Sequence, residues 1–232
     1  MIKRELYMNR IRPFIGGELI KVMTGIRRSG KSVMLELIKE ELAEAGVAPS
    51  QMISINFEDM RYSHLQTATA LHDEIIKRAE GIEGKAYLFF DEIQEVEGWE
   101  KCVNSLRVAL DCDIYITGSN AKLLSGELAT YIGGRYVEFV IYPFSFAEFL
   151  ELYHTIAPSD SIQQCFQKYL LAGGMPYLAN LRYEEEPSRQ YLTDLFNSVQ
   201  LKDIVKRNKI RDIDLLERII AYMTANVGTV FS

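Results

Sequence analysis

Two glycines, a lysine and a hydroxyl stand in the run Gly25-Ile26-Arg27-Arg28-Ser29-Gly30-Lys31-Ser32. Glycine lets a backbone curl until successive N–H groups point inward, and such a concavity binds anions. A lysine and a serine directly after the second glycine suit a polyphosphate. The ammonium meets its β- and γ-phosphates, and the hydroxyl meets the magnesium ion they carry. Apolar residues at helical spacing follow from Val33, so the positive end of a helix faces the same anion. The expected nucleotide-binding set is therefore Gly25, Ile26, Arg27, Arg28, Ser29, Gly30, Lys31, Ser32 and Val33. Arg27 and Arg28 read two ways, as contacts to phosphate or a neighbour and as solvated loop arginines.

A second group lies further along. Tyr87-Leu88-Phe89-Phe90 is an apolar run closed by Asp91 and Glu92. Ligands of parallel sheets gather at the carboxyl ends of the strands, which brings both acids beside the phosphate loop. Asp91 and Ser32 are expected at the magnesium ion, and Glu92 is expected to take a proton from an attacking water. ATP and Mg2+ are the implied ligands. Guanine is disfavoured, because Asn208-Lys209-Ile210-Arg211-Asp212 is one residue too long for N-K-x-D.

These groups need a frame, and the periodicity supplies one. Leu19–Thr24, Met52–Phe57, Ala86–Phe90, Asp113–Thr117 and Tyr136–Ile141 read as strands. Helical stripes separate them: Met34, Leu35, Ile38 and Leu42; Leu71, Ile75 and Ile76; Trp99, Cys102, Val103, Leu106 and Leu110. Alternating strands and helices predict an α/β fold with a parallel sheet covered on both faces. After Pro143 only helices are predicted, around 147–153 and 161–171 and from Ser188 and Asp212. The expected domains are a core over 1–145, an all-helical lid over 146–209 and a further region over 210–232.

Bulk properties exclude several classes. The 232-residue chain is 48% hydrophobic and 25% charged, an ordinary globular composition. Its net charge of -6 gives nucleic acid no general attraction, so DNA is left as a partner without support from charge. No apolar run approaches the roughly 18 residues that span a bilayer. The N-terminus has no apolar signal core, and the three scattered cysteines read as reduced thiols, so a cytoplasmic location is expected. His64, His72 and His154 are isolated from any metal-ligand pattern. The basic run 206–211 lies among aspartates and reads as a solvated helix end.

Taken together, the motifs resemble the AAA+ superfamily of P-loop ATPases, near the STAND and archaeal-ATPase groups. The markers are residues 25–32, Ile55-Asn56-Phe57-Glu58-Asp59, Phe90-Asp91-Glu92-Ile93-Gln94, Gly98-Trp99 and Ile116-Thr117-Gly118-Ser119-Asn120. Gly134-Arg135-Tyr136, Tyr142-Pro143-Phe144-Ser145-Phe146 with Glu148-Phe149, and Gly173-Gly174-Met175-Pro176 complete the set. The resemblance implies a three-layer P-loop NTPase core with sheet order 5-1-4-3-2 and the loop on the central strand. It implies that Asn56 restrains the catalytic Glu92, and that Ser119 or Asn120 orients the attacking water. Arg135 would act as an arginine finger on the ATP of a neighbouring copy in a homo-oligomer. Each has a plainer reading: a strand-end turn former, a helix cap and a surface ion pair, respectively. Arg182, Arg189 and Arg207 compete for the second-sensor role, and none stands in a specific motif. Such proteins usually continue into a nuclease-like domain, so the end at 227–232 reads as a truncation at the start of a winged-helix-like region.

The expected function is a regulatory or switch ATPase acting on the β–γ phosphoanhydride, with an unidentified protein partner. Three alternatives stay open: a non-hydrolysing ATP-binding module, a DNA-associated ATPase serving a nuclease-like domain, and a small-molecule kinase.

Overall fold

Alternation of side chains along five strands decides which residues meet which helices. The computed structural model describes residues 2–118, 132–199 and 212–228. Strands β1 (Ile20–Thr24), β2 (Met52–Asn56), β3 (Ala86–Asp91), β4 (Cys112–Thr117) and β5 (Tyr136–Val140) pair in parallel in the order β2-β3-β4-β1-β5. This is the expected 5-1-4-3-2 order read from the other edge. One detail is corrected: β4 holds the middle position, and β1, which feeds the phosphate loop, lies between β4 and β5.

Successive residues of a strand point to opposite faces. Ile20, Val22, Leu88, Phe90, Ile114 and Ile116 join one core cluster with residues of α3 (Ala68–Ala79) and α4 (Trp99–Ala109). Met23, Phe89, Tyr115 and Phe139 join a second cluster with α1 (Glu5–Ile11) and α2 (Lys31–Glu44). Each large apolar side chain withdrawn from water contributes roughly 1.5–3 kcal/mol. The predicted stripe of α2 is the buried one, since Met34, Leu35, Ile38 and Leu42 are all in the core.

The sequence assigns no element before Leu19, yet α1 forms there and buries Tyr7, Met8 and Ile11. A seven-residue helix offers too little periodicity to be read, and its stability comes from packing rather than propensity. Helices α5 (Phe146–Tyr153) and α6 (Ile162–Ala172) follow the sheet. Both open on capping boxes, Ser145 with Glu148 and Ser161 with Gln164. They meet through aromatic contacts such as Phe149 with Tyr169, 5.2 Å between ring centres.

The chain divides into two compact units, Met1–Arg182 and Tyr183–Ser232. The first holds the sheet together with α5 and α6, so compactness divides the chain at 182/183 and the change in composition falls at 145/146. The second contains α7 (Glu185–Val199) and α8 (Ile213–Ala225). Helix α7 starts three residues before the predicted Ser188, because Pro187 is tolerated in a first turn whose N–H groups have no helical partner. Asp212 caps α8 by accepting from Leu215 N–H at 2.8 Å. Among the described residues no helix is long and apolar enough to cross a membrane. All three cysteines are free thiols and buried.

Candidate functional site

The chain leaves β1 through a position only glycine can fill. A Cβ on Gly25 would stand 2.2 Å from the carbonyl oxygen of Ile141, and Gly25 has φ 143°. The turn closes at Gly30, φ 102°, which caps α2 without any side-chain hydrogen bond. The first N–H groups of α2 therefore keep their capacity to meet an anion, reinforced by the helix dipole. Lys31 is buried, with Nζ 3.3 Å from the Gly25 oxygen and 3.2 Å from the Ile26 oxygen. Ser29 Oγ is buried and has no hydrogen-bond partner. Such an orphan costs about 1–3 kcal/mol when nothing meets it.

A cavity of about 400 Å³ opens above this loop. Arg27, Arg28, Gly30, Lys31, Ser32 and Val33 form one wall, and Glu58, Glu92, Pro176, Tyr177 and Asn180 complete it. Ile26 is exposed on the loop beside it.

The predicted acidic pair arrives from β3. Asp91 ends that strand and is buried. Its Oδ1 accepts from Thr117 Oγ1, and its Oδ2 accepts from Asn56 Nδ2 at 3.2 Å. Glu92 turns the chain with φ 55° and lines the cavity. Its N–H donates to Thr117 Oγ1 at 3.0 Å, and its carboxylate accepts from Gln94 Nε2. One hydroxyl thus holds both acids. Asp91 keeps further lone pairs, and carboxylate and hydroxyl oxygens such as those of Asp91 and Ser32 are of the type that suits magnesium.

Thr117, which stands in a motif already quoted, is the residue at this site to which sequence reading gives no role. Its signal is a hydroxyl on the last residue of β4, and its partner is named only by the β3–β4 pairing. Glu58 and Pro176 stand in motifs already quoted, but without an assigned role, and Tyr177 and Asn180 carried no signal. Asn56 contacts Asp91, the neighbour of the residue it was expected to restrain, and its Oδ1 accepts from Glu58 N–H at 2.9 Å.

Arg135 lies elsewhere. It directly precedes β5, its carbonyl accepts from Ile20 N–H at 2.9 Å, and its exposed guanidinium donates to Asn104 Oδ1 at 2.8 Å. That is the amino end of the sheet, opposite the phosphate loop, so Arg135 cannot serve its own chain's cavity. The expectations for Ser119, Asn120, Arg207 and the run 206–211 fall outside the described residues. Gly118, just before the first two, donates to Met23 O at 3.4 Å.

Comparison with known proteins gives a consistent placement. A family model described as an AAA domain matches residues 18–150, and one described as a domain of unknown function matches 163–232. An uncharacterized protein of Haemophilus influenzae is 40% identical over 229 residues, covering 98% of this chain and 56% of that protein. An uncharacterized protein of Methanocaldococcus jannaschii is 33% identical over 219 residues, covering 89% and 47%. The chain thus spans about half the length of these relatives. Among solved structures, a point mutant of RuvB from Thermotoga maritima superposes with TM-score 0.52 at 16% identity, covering 97% of this chain and 77% of that one. AMPPCP-bound DnaA of Aquifex aeolicus gives 0.51 at 13%, covering 99% and 71%. These two likenesses bear on the fold alone.

Proposed function

The chain belongs to the AAA domain family, and from that premise we propose that it binds magnesium-ATP and hydrolyses it to drive a regulatory switch. The observation that carries the reading is that the phosphate cradle and Glu92 line one cavity, while Thr117 holds Glu92 and the buried Asp91 side by side. Backbone N–H groups of 25–33 and the Lys31 ammonium bind the phosphates. Ser32 and Asp91 would hold the magnesium ion. When bound, magnesium would supply positive charge to offset the negative charge developing on the transferred phosphoryl group.

Glu92 receives the proton of the attacking water, while Thr117 and Asn56 keep Asp91 in place beneath it. Ser119 or Asn120 orients that water. Arg135, remote from its own cavity, completes the site of a second copy, where an arginine in trans is worth about 10³–10⁵ in rate.

The deciding experiment is phosphate release from magnesium-ATP over a range of protein concentrations. Glu92→Gln should bind ATP but turn over about 10²–10⁴ times more slowly, the usual contribution of a general base. Turnover per chain should rise with concentration and lose that rise in Arg135→Ala. Equal turnover by Glu92→Gln would remove Glu92 from catalysis. Transfer of phosphate to an acceptor other than water would make the protein a kinase.

A further inference from the structure

A guanidinium outside the phosphate loop grips one of its peptides. Arg4, just before α1, is 2% exposed and sits in the left-handed region at φ 48°. Its Nη1 donates to the Ser29 carbonyl at 3.0 Å. Nε and Nη2 donate to Glu148 Oε1 and Oε2 at 2.8 and 3.3 Å, and Nη2 also reaches the Tyr142 carbonyl at 2.8 Å. The guanidinium carbon lies 4.6 Å from the ring centre of Tyr7 and 5.2 Å from that of Phe144. Four acceptor oxygens from three residues therefore converge on one planar cation, the geometry to which arginine is suited and lysine is not.

The consequence for the loop follows from peptide planarity. In a trans peptide the C=O of residue 29 and the N–H of residue 30 point in opposite directions. With the Ser29 carbonyl turned to Arg4, the Gly30 N–H faces away from Arg4, and Gly30 lines the cavity. A flipped peptide would aim a carbonyl dipole at the phosphates, and glycine at φ 102° gives little resistance to such a flip. A Cβ on Gly30 would also stand 3.3 Å from Arg4 Nη1, a tight contact beside the bond to the Ser29 carbonyl.

The grip extends to another part of the cavity lining. Glu148 closes the capping box of α5, and Tyr142 opens the segment leading to it. In that segment Phe144 N–H donates to the Gly174 carbonyl at 2.7 Å. A Cβ on Gly174 would lie 2.0 Å from Phe144 O, so the two backbones fit together only because residue 174 is glycine. Pro176, Tyr177 and Asn180, immediately beyond, line the same cavity as the loop.

We propose that Arg4 is a positioning residue of the phosphate site. It keeps the Ser29–Gly30 peptide with its N–H toward the phosphates and, through Glu148 and the Phe144–Gly174 contact, couples that peptide to the Pro176–Asn180 wall. Its ligand rests on the ATPase reading above; the holding of the loop does not.

The test separates the two. Removing Arg4 alone would strand the Glu148 carboxylate, so the variant is Arg4→Met with Glu148→Gln, with cooperative melting required as evidence of folding. Hydrogen exchange of peptides covering 25–33, measured without nucleotide, should quicken about tenfold, while peptides of α3 and α4 keep their wild-type rates. Titration with a fluorescent ATP analogue should show affinity weakened about tenfold, the scale of one charge-assisted hydrogen bond. Glu148→Gln alone leaves an acceptor for Arg4 and should stay within about threefold. Unchanged loop exchange in the folded double variant overturns the proposal. Faster loop exchange, with no ATP bound even by the unsubstituted chain, keeps Arg4 as the loop's holder and overturns the ATPase reading instead.

Discussion

Two carboxylate clusters sit on the same face of the sheet, at opposite ends. At the amino end, Asp113 accepts from Lys21 Nζ, from Tyr115 Oη at 2.7 Å and from Gly16 N–H at 2.6 Å. Lys21 and Asp113 are both wholly buried. At the carboxyl end, Asp91 accepts from Thr117 and Asn56, but beside it Glu92 and Ser32 face a cavity and Ser29 Oγ has no partner. Phe89 and Tyr115, stacked at 4.9 Å, lie between the two. The closed cluster satisfies its members and holds the turn at Gly16 and Gly17 in place. The open cluster is left partly unsatisfied, which suits it to bind something. A buried charge is thus no guide to function by itself; what its neighbours leave unfilled is the better guide.

That contrast can be broken by substitution, starting from the closed end. Asp113→Asn leaves the Lys21 ammonium buried without a charge partner, and such a loss costs about 3–5 kcal/mol. Denaturant unfolding should show it, while ATP affinity of the folded protein stays at the wild-type value. A stable Asp113→Asn protein with impaired ATP binding would reverse the roles assigned to the two ends.

At the open end the balance inverts. Thr117→Val removes the hydroxyl that serves both Asp91 and Glu92, and turnover should drop about 10–100-fold, or about 1.4–2.7 kcal/mol of barrier. Melting temperature should change less than in Asp113→Asn. Asn56→Ala takes away one hydrogen bond to Asp91, and a loss of roughly fivefold to tenfold in turnover is expected from one such bond. Enhanced turnover in that variant would instead favour the restraining role.

The smallest effect concerns pH. Burial alone would raise the Glu148 carboxyl, but the hydrogen bond from Arg4, with the Ser145 backbone, outweighs it and leaves the value below the ordinary 4.5. A depressed carboxyl stabilises the fold above its unfolded value and loses that contribution as pH falls through the folded value. Unfolding free energy should therefore decline below about pH 4.5, and Glu148→Gln should flatten that decline. An unchanged slope would mean that Arg4 and Glu148 are not coupled as drawn.

The loop and the acidic pair were legible in the primary structure because their constraints are local. Gly25 and Gly30 satisfy backbone angles within the loop itself, and an apolar run ending in Asp91-Glu92 declares a strand and its end without reference to any partner. The strands and most helices follow from period alone, and the sheet order followed from the family resemblance. Thr117 bonded to the two acids, Arg4 on the Ser29 carbonyl, Pro176 to Asn180 at the cavity and Arg135 at the far end were decided only by the tertiary structure. Each of these depends on which strand lies beside which and in what register. That choice is made by burial summed over the entire sheet, so no short stretch of residues can carry it.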